Sequence, residues 1–255
     1  MSSKTQWLLG LTAILASSLA ACSITESRPA VGAVTPVQCV GATIANADDA
    51  ARYAGCEAVS GDLRVVGSEL EDLTALERIR SVSGTLEISG NSQIDDLSGL
   101  ERLSSVGRLQ IDDNADLDDL TALSHLTRAS SIVIRNNPDL ATLRGLEGVK
   151  QADQVVIASN GIYDTHGLTN LRQVGELAVV GNPKLHNLAG LDNLEHAHSV
   201  RLQGNPVLCA RLGLLPELTD VDRLVVRSNR ALSPSEVDAL YERTSRAASR
   251  EAALR

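Results

Sequence analysis

The sequence contains almost no aromatic side chains. Its 255 residues include no Phe, one Trp and three Tyr, although 43% of the residues are hydrophobic. Most globular cores obtain their largest buried areas from Phe, Tyr and Trp. The apolar fraction is nevertheless high enough to exclude a wholly disordered chain. The core of this protein must therefore be built from Leu, Ile, Val and Ala.

The chain also lacks an excess of positive charge, a long apolar run and the common catalytic motifs. Its formal net charge is −9, which argues against a nucleic-acid partner because phosphate binding requires a basic footprint. The apolar stretch at residues 7–15 is too short to span a membrane. Gly-x-Ser-x-Gly, glycine-rich phosphate loops and His-Glu-x-x-His are missing. Nothing in the sequence therefore indicates a nucleophile with its base.

The N-terminal residues have the order of a secretory signal peptide. Lys4 precedes the apolar stretch, and small residues follow it. The ending Leu19-Ala20-Ala21-Cys22 resembles a bacterial lipobox, in which the cysteine is acylated after cleavage. Multiple acyl chains give stable anchoring, and the absence of Asp after Cys22 resembles outer-membrane lipoproteins. We therefore predict an outer-membrane lipoprotein of the bacterial cell envelope, with an ordinary cleavage site as the alternative.

The four cysteines have different predicted roles. Cys22 carries the lipid, and residues 22–38 form a flexible tether that contains two prolines. Cys39 and Cys56 flank a short segment and are predicted to form a disulfide, because the exported compartment is oxidising. Cys209 is left over. It is either a small buried apolar side chain or a reactive thiol.

From residue 63 the chain repeats with a period of 22 to 24 residues. Each repeat contains a strand-like triplet whose first and third residues are apolar. In a strand these two side chains point to one face and the middle one to the other, so Leu, Ile and Val fill the interior. The triplets are Leu63-Arg64-Val65, Leu86-Glu87-Ile88, Leu109-Gln110-Ile111, Ile132-Val133-Ile134, Val155-Val156-Ile157, Leu177-Ala178-Val179, Val200-Arg201-Leu202 and Leu224-Val225-Val226.

An asparagine stands five residues after each triplet start, except in the first repeat, where Ser68 takes its place. Asn tolerates the turn conformation that must follow the strand, and its amide both donates and accepts hydrogen bonds. Stacked Asn side chains would satisfy buried backbone groups at every coil. This repeat is typical of the leucine-rich-repeat class. The predicted ladder consists of Asn91, Asn114, Asn137, Asn160, Asn182, Asn205 and Asn229.

After each asparagine, apolar residues recur at every third position, as in Ile94, Leu97, Leu100 and Leu103. A period of three fits neither an α-helix nor a strand, and it suits short 3₁₀ turns or tight corners. We predict a right-handed repeat solenoid of about eight coils with one parallel β-sheet along one face. Thin coils leave no space for aromatic rings, which explains their scarcity.

Both ends of the solenoid are predicted to carry helical caps. Asn46, followed by Asp48 and Asp49, indicates a helix start. Ser233-Pro234-Ser235-Glu236 is a capping box, and an amphipathic pattern follows it. The predicted organisation is a lipoprotein signal peptide (1–21), the tether (22–38), an N-terminal cap (39–62), the repeat solenoid (63–232) and a C-terminal capping helix (233–255).

Two segments carry a resemblance to a known family. The sequences Val59-Ser-Gly61-Asp-Leu63-Arg-Val65 and Val82-Ser-Gly84-Thr-Leu86-Glu-Ile88 resemble the strand motif of receptor L domains. The lead-in from Cys39 to Cys56 is similar to the N-terminal cap of that family. The resemblance covers roughly residues 39–230 and implies a solenoid that binds ligands, which are proteins in animal receptors. The receptors' cysteine-rich modules, membrane span and kinase are missing, so hormone-receptor function is not implied.

The candidate binding surface is formed by two columns of side chains that face outward from the sheet. In coils four to six these columns contain five neighbouring apolar residues, and three arginines border them. An apolar patch rimmed by Arg is typical of a recognition surface. The alternative is that β-branched residues simply suit strands. The predicted contact residues are Val133, Arg135, Val156, Ala158, Ala178, Val180, Arg201 and Arg227.

Two sets of potential metal ligands have simpler explanations. The acidic run at residues 112–119 suits Ca²⁺ in ligand type, but Asn114 and Leu117 already belong to the repeat, and an EF-hand's Gly and terminal Glu are missing. His186, His196 and His198 lack a second ligand cluster at zinc spacing. We therefore predict no metal and no cofactor.

These observations predict a non-catalytic cell-surface lipoprotein that binds a protein or glycan through the exposed sheet face. A structural or adhesion component of the envelope is the alternative. An enzyme is a remote one and would require acids clustered in a cleft. The sequence leaves open the ligand, the leaflet and the oligomeric state.

Overall fold

A computed structural model describes residues 35–209 and 213–253, with side chains as far as Ser245. The predicted signal peptide, Cys22 and the tether up to residue 34 lie outside the described residues. The described chain forms a parallel β-solenoid with one strand layer per coil, and its eight coils agree with the predicted number.

One parallel sheet of eleven strands runs the length of the solenoid in the described part of the chain. From β5 onward, strands that are consecutive in sequence are also neighbours in the sheet, because each repeat completes one coil. The strands are β1 (Gln38–Val40), β2 (Thr43–Ile44), β3 (Ala58–Ser60), β4 (Leu63–Val66), β5 (Ser81–Ser89), β6 (Ser105–Asp112), β7 (Arg128–Arg135), β8 (Gln151–Ala158), β9 (Gln173–Val180), β10 (His196–Gln203) and β11 (Asp220–Arg227).

The strand layer of each coil has two halves, of which the sequence pattern marks only the second. In the first coil the halves are separate strands, and both pair with β5: Val59 lies opposite Val82, and Leu63 lies opposite Leu86. The strand layer of the first coil therefore consists of β3 and β4. The first half of the strand layer gave no recognisable sequence pattern, because it places only one residue of each coil in the core.

The core consists of stacked aliphatic layers. Leu109 and Ile111 are completely buried, and so are the residues of the three-residue period that begins at Ile94. Tyr53, in the N-terminal cap, is the one aromatic side chain in this core among the described residues. Short 3₁₀ turns close four coils on the side away from the long strands, at Thr74–Leu76, Thr121–His125, His166–Leu168 and Ala189–Leu191.

The asparagines form a continuous buried ladder of hydrogen bonds. The Oδ1 of Asn137 accepts from the backbone N and the Nδ2 of Asn114, at 3.0 and 3.2 Å. The Nδ2 of Asn137 donates to the backbone O of Ile111 in the preceding coil at 3.1 Å. In the first coil, the N and Oγ of Ser68 donate to Asn91 Oδ1 at 2.9 and 2.7 Å. Ser68 therefore completes the ladder.

The turn conformation belongs to the residue before each asparagine, which corrects the expectation that the asparagine itself adopts it. Asn136 has a φ of 55° and Ser159 one of 57°, and Gly181 and Gly204 in the same column are also positive. The asparagine side chain points into the coil. The residue with positive φ therefore lies one position before it in the sequence.

The N-terminal cap contains its own strand layer. In it, β1 pairs with β3 and β2 pairs with β4. The predicted Cys39–Cys56 disulfide is confirmed. The one-turn helix α1 (Ala47–Ala51) begins at Asn46, whose Oδ1 accepts from the backbone N of Asp49 at 3.0 Å. The backbone O of Val37 accepts hydrogen bonds from the backbone N of residues 57 and 58.

Helix α2 (Pro234–Ala253) lies at the C-terminal end of the solenoid. The Oγ of Ser233 accepts from the backbone N of Glu236 at 3.3 Å, and Glu236 Oε2 accepts from the backbone N of Ser233 at 2.6 Å. This reciprocal pair is the predicted capping box. Leu240 and Thr244 are buried, so they form the inner face of the helix.

Candidate binding surfaces

The outer face of the sheet carries three columns of side chains, one more than the sequence pattern indicated. Counted from the first residue of each of β6–β11, positions 5 and 7 point into the core, and positions 4, 6 and 8 point outward. The residue before each strand-like triplet occupies position 4. Because side chains alternate between the two faces of a strand, the sequence could have shown that this residue faces outward. It contains Arg108, Ser131, Gln154, Glu176, Ser199 and Arg223.

The predicted apolar residues are brought together. Val133, Val156 and Ala178 are direct neighbours at position 6, and Ala158 and Val180 are neighbours at position 8. We call these five residues the sheet-face patch. Its accessible part is smaller than the sequence suggested, because Val133 is only 6% exposed and Ala178 only 5%.

Each hidden member of the patch has a longer side chain directly beside it on the same face. Val133 lies between Gln110 and Val156 at position 6, and Ala178 is a short side chain next to Arg201. The partly exposed members that a partner can contact are Val156, Ala158 and Val180.

A network of charged side chains borders the patch toward the N-terminal coils. The Nη2 of Arg135 donates to Asp112 Oδ2 at 2.9 Å, and its Nε donates to Asp112 Oδ1 at 3.3 Å. Gln110 Nε2 also donates to Asp112 Oδ2, at 2.9 Å. The hydrogen bond to Asp112 raises the pKa of Arg135. Arg135 is therefore held in position beside the patch.

The other borders of the patch are also polar. Toward the C-terminal coils, Arg201 is exposed, and Arg227 donates from Nε to Gln203 Oε1 at 3.1 Å. Along position 4, Ser131 donates to Gln154, and Gln154 donates to Glu176, at 3.1 and 3.0 Å. An apolar centre with a polar, hydrogen-bonded rim has the composition of a protein-binding surface.

A second surface, which the sequence did not indicate, is a groove of about 800 Å³ across the first halves of β6–β11. Positions 1, 2 and 3 of the six strands line it. The ladder between β6 and β7 skips position 3, and the ladder between β7 and β8 leaves out the first three positions. The strands are therefore irregular along the groove.

The groove brings together two of the histidines that had been considered as zinc ligands. His198 Nδ1 lies 2.6 Å from Asp222 Oδ2, and His196 Nδ1 lies 3.5 Å from Asp220 Oδ2. His186 lies elsewhere, with its ring centroid 6.2 Å from that of Tyr163. Within residues 35–209 and 213–253, no group of three or more His, Cys, Asp or Glu is placed to hold a metal ion.

The acidic run at residues 112–119 is divided among separate structural contacts. Asp112 binds Arg135, and Asp113 Oδ1 accepts from Asn136 Nδ2 at 2.9 Å. Asp119 Oδ1 accepts from the backbone N of Thr121 and thereby begins a 3₁₀ turn. Asp112, Asp113 and Asp119 occupy different positions of the repeat, so each of these carboxylates binds a different partner.

Cys209 lies at the end of a row of side chains that also contains Tyr163 and His186. It is half-buried, and its thiol donates to the backbone O of His186 at 3.3 Å. Tyr163 is 49% exposed, and the Nζ of Lys184 lies 6.0 Å from its ring centroid. The Cys209 side chain is therefore less buried than a core residue, and its thiol is hydrogen-bonded to a backbone carbonyl.

Comparison with known proteins supports the resemblance drawn from the strand motifs. Residues 55–160 match the model of the Receptor L domain family, a family of ligand-binding domains. The match ends at Asn160 and therefore includes the first four coils, strand β8 of the fifth coil and part of the sheet-face patch. No curated protein matches the chain. In the part of the chain that the structure describes, no helix has the length and apolarity to cross a membrane.

Proposed function

We propose that this protein is a non-catalytic binding protein that recognises a protein ligand through the sheet-face patch. The observation that carries the proposal is the arrangement of Val156, Ala158 and Val180 within a rim of arginine and amide side chains. Burial of these apolar side chains by a partner would supply free energy, and the fixed Arg135 would orient that partner.

The family match supports the choice of a protein as the ligand, because receptor L domains are binding domains. The patch lacks Tyr and Trp, which dominate the binding energy of tight interfaces. We therefore expect modest affinity for each copy, strengthened when many copies are tethered to one surface.

The double variant Val156→Asp/Val180→Asp tests this proposal. Two carboxylates in the patch must be desolvated on binding, so the partner should no longer be captured. Photo-crosslinking on intact cells followed by mass spectrometry identifies the partners of the wild-type protein. Both positions are partly exposed, and a melting temperature close to that of the wild type verifies that the variant is folded.

Val66→Asp provides the matched control. Val66 occupies the same outward column in the first coil and is 38% exposed, but it lies outside the patch. The Val66→Asp variant should capture the same partners as the wild type. Capture of every wild-type partner by the double variant would contradict the proposed site.

We further propose that Cys22 carries a lipid and anchors the protein to the bacterial outer membrane. The sequence Leu19-Ala20-Ala21-Cys22 supports this proposal, and the disulfide of the N-terminal cap is consistent with an oxidising compartment. The Cys22→Ala variant should lose metabolic labelling with palmitate and should leave the membrane fraction. Cys209→Ala should retain both. A labelled, membrane-bound Cys22→Ala protein would refute the anchor.

A further inference from the structure

Arginines on the outer face of the sheet are paired in the N-terminal coils and unpaired at the C-terminal end. Arg64 lies 3.1 Å from Asp62 and 3.3 Å from Glu87. Arg135 is bound to Asp112. On β10 and β11, by contrast, three exposed arginines have no carboxylate partner in the part of the chain that the structure describes. We call them the arginine triangle: Arg201, Arg223 and Arg227.

The three members of the triangle lie close together. Arg201 on β10 is the register partner of Val225 on β11, and Arg223 and Arg227 stand two residues before and after Val225. Strands lie about 4.8 Å apart, and alternate residues lie about 6.6 Å apart along a strand, so the Cα of Arg201 is about 8 Å from each of the other two. The three outward guanidinium groups therefore share one small surface around Val225.

The carboxylates on the same strands have other partners. Strands β9–β11 carry Glu176, Asp220 and Asp222. Glu176 accepts a hydrogen bond from an amide nitrogen of β8 at 3.0 Å. Asp220 Oδ2 lies 3.5 Å from His196 Nδ1 in the groove, and Asp222 Oδ2 lies 2.6 Å from His198 Nδ1. The positive charge of the triangle is therefore left for a partner to neutralise.

The triangle continues the surface of the sheet-face patch. Arg201 lies beside Ala178 of the patch, and Gln203 lies beside Val180. Arg227 is next to Gln203 in the following strand and donates to its side chain at 3.1 Å. One partner can therefore cover the apolar side chains and the guanidinium groups at the same time.

The charge of the whole chain limits what kind of anion the triangle can hold. The formal net charge is −9, and the Debye length at physiological ionic strength is about 8 Å. A long polyanion would extend beyond the triangle over a predominantly acidic protein and be repelled there. A short acidic segment meets only the local positive charge, and Arg suits carboxylates because its planar fork can bind both oxygens.

We propose that the arginine triangle binds the carboxylates of an acidic segment in the protein ligand, while apolar side chains next to that segment cover the sheet-face patch. The inference rests on the proposed function. It adds the chemistry of the partner and its orientation, with the acidic part over β10 and β11 and the apolar part over β8 and β9.

The experiment measures binding of the full-length protein to the peptide Val-Ser-Val-Ser-Glu-Ser-Glu, held at high density on an interferometry sensor. In an extended peptide, alternate side chains share one face, so its Val and Glu side chains can contact the sheet together. The protein should bind, and the binding should weaken with added salt. A peptide with Lys in place of Glu should not bind, and one with Ser in place of Val should bind more weakly.

The triple variant Arg201→Gln/Arg223→Gln/Arg227→Gln should weaken peptide binding by about tenfold, because three exposed ion pairs are lost together. All three arginines are exposed, so an unchanged melting temperature verifies that the variant is folded. Arg108→Gln is the matched control. Arg108 is also exposed and without a carboxylate partner in the described chain, but it stands alone at position 4 of β6, so this variant should bind as the wild type does.

Absence of binding to the Glu peptide, equal binding to the Lys peptide, or undiminished binding by the triple variant would each overturn the proposal. Tighter binding to heparin than to the Glu peptide, abolished in the triple variant, would assign the triangle to a polyanion and overturn it as well.

Capture of the cellular partners separates this inference from the proposed function. Loss of capture by both Val156→Asp/Val180→Asp and the triple variant supports both. Loss by the patch variant alone would keep the sheet-face site and overturn the acidic partner, and retention by both variants would overturn both. Loss by the triple variant alone would contradict the sheet-face patch and support the arginine triangle.

Discussion

Gly190 and Gly167 show how single residues set the spacing between coils. A Cβ at Gly190 would lie 1.5 Å from the backbone O of Thr165, and one at Gly167 would lie 1.7 Å from the backbone O of Leu143. Both glycines lie in 3₁₀ turns, so the turn of one coil rests directly on the backbone of the preceding coil. No side chain fits between them.

Gly190→Ala should therefore destabilise the protein by about 3 kcal/mol, because the two coils must separate to admit the methyl group. The measurement is chemical unfolding monitored by circular dichroism. Gly55→Ala is the control, since a Cβ at Gly55 meets nothing within 4 Å, and its effect should stay within about 0.5 kcal/mol. Equal effects of the two substitutions would contradict this account of coil spacing.

Thr165 is a polar residue at a position that is held by leucine before the other three 3₁₀ turns, at Leu73, Leu120 and Leu188. It precedes the 3₁₀ turn His166–Leu168, as Leu188 precedes the turn at Ala189–Leu191. Its side chain is fully buried, and among the described residues its Oγ1 has no hydrogen-bond partner. A buried hydroxyl without a partner lowers stability.

Thr165→Val should stabilise the protein by about 1 kcal/mol, because Val keeps the shape and removes the unsatisfied hydroxyl. For a domain of this size, that free energy corresponds to a rise in Tm of about 2–4 °C. Thr165→Ser keeps the hydroxyl and loses a methyl group, so it should lower the Tm. A Tm for Thr165→Val at or below the wild-type value would show that the hydroxyl is satisfied in solution.

At the scale of elements, two columns of side chains bind the backbone at the corners of the coils. The asparagine column could be predicted from sequence because the same residue recurs in seven repeats. A second column begins the 3₁₀ turns: Asp72 Oδ1 accepts from the backbone N of Thr74 at 2.8 Å, and Asp164 Oδ1 accepts from the backbone N of His166 at 3.0 Å. This column could not be recognised from the sequence because the residue type varies. Thr142 and Asn187 accept the equivalent hydrogen bond from the backbone N two residues later.

Asn137→Ala tests the buried asparagine ladder and should cost about 2–3 kcal/mol of unfolding free energy. The substitution leaves the backbone N–H of Asn114 and the C=O of Ile111 buried without their partners. Asn229→Ala, at the C-terminal end of the ladder, should cost less, because Asn229 is 8% exposed and water can replace it. Urea unfolding of both variants measures the difference. A larger loss for Asn229→Ala would contradict the ladder as a central stabilising element.

At the scale of the whole molecule, the two ends of the solenoid are protected to different degrees. The N-terminal cap adds a strand layer, a helix and a disulfide next to the first coil. At the other end, Leu224 and Val226 of β11 are only half-buried, whereas their counterparts Leu109 and Ile111 in β6 are fully buried. Helix α2 therefore covers the last coil incompletely.

Amide hydrogen exchange should reveal this asymmetry. Peptides that cover β11 should exchange faster than those from β7 and β8, because a solenoid opens from its less protected end. Reduction of the Cys39–Cys56 disulfide should accelerate exchange in β3 and β4 and leave β11 unchanged. Uniform protection from β4 to β11 would show that the coils open together.

The sequence by itself determined the features that repeat. The eight coils, their inward-facing Leu, Ile and Val, the asparagine ladder and the cap disulfide follow from periodicity and local chemistry, because each coil has the same position relative to its neighbours. Only the tertiary structure decided how side chains of different length meet across coils. It hid Val133 and Ala178, fixed Arg135 on Asp112 and formed the groove lined by Gln151 and Gln173. These contacts depend on the particular residue in the next coil, which the repeat pattern leaves free to vary.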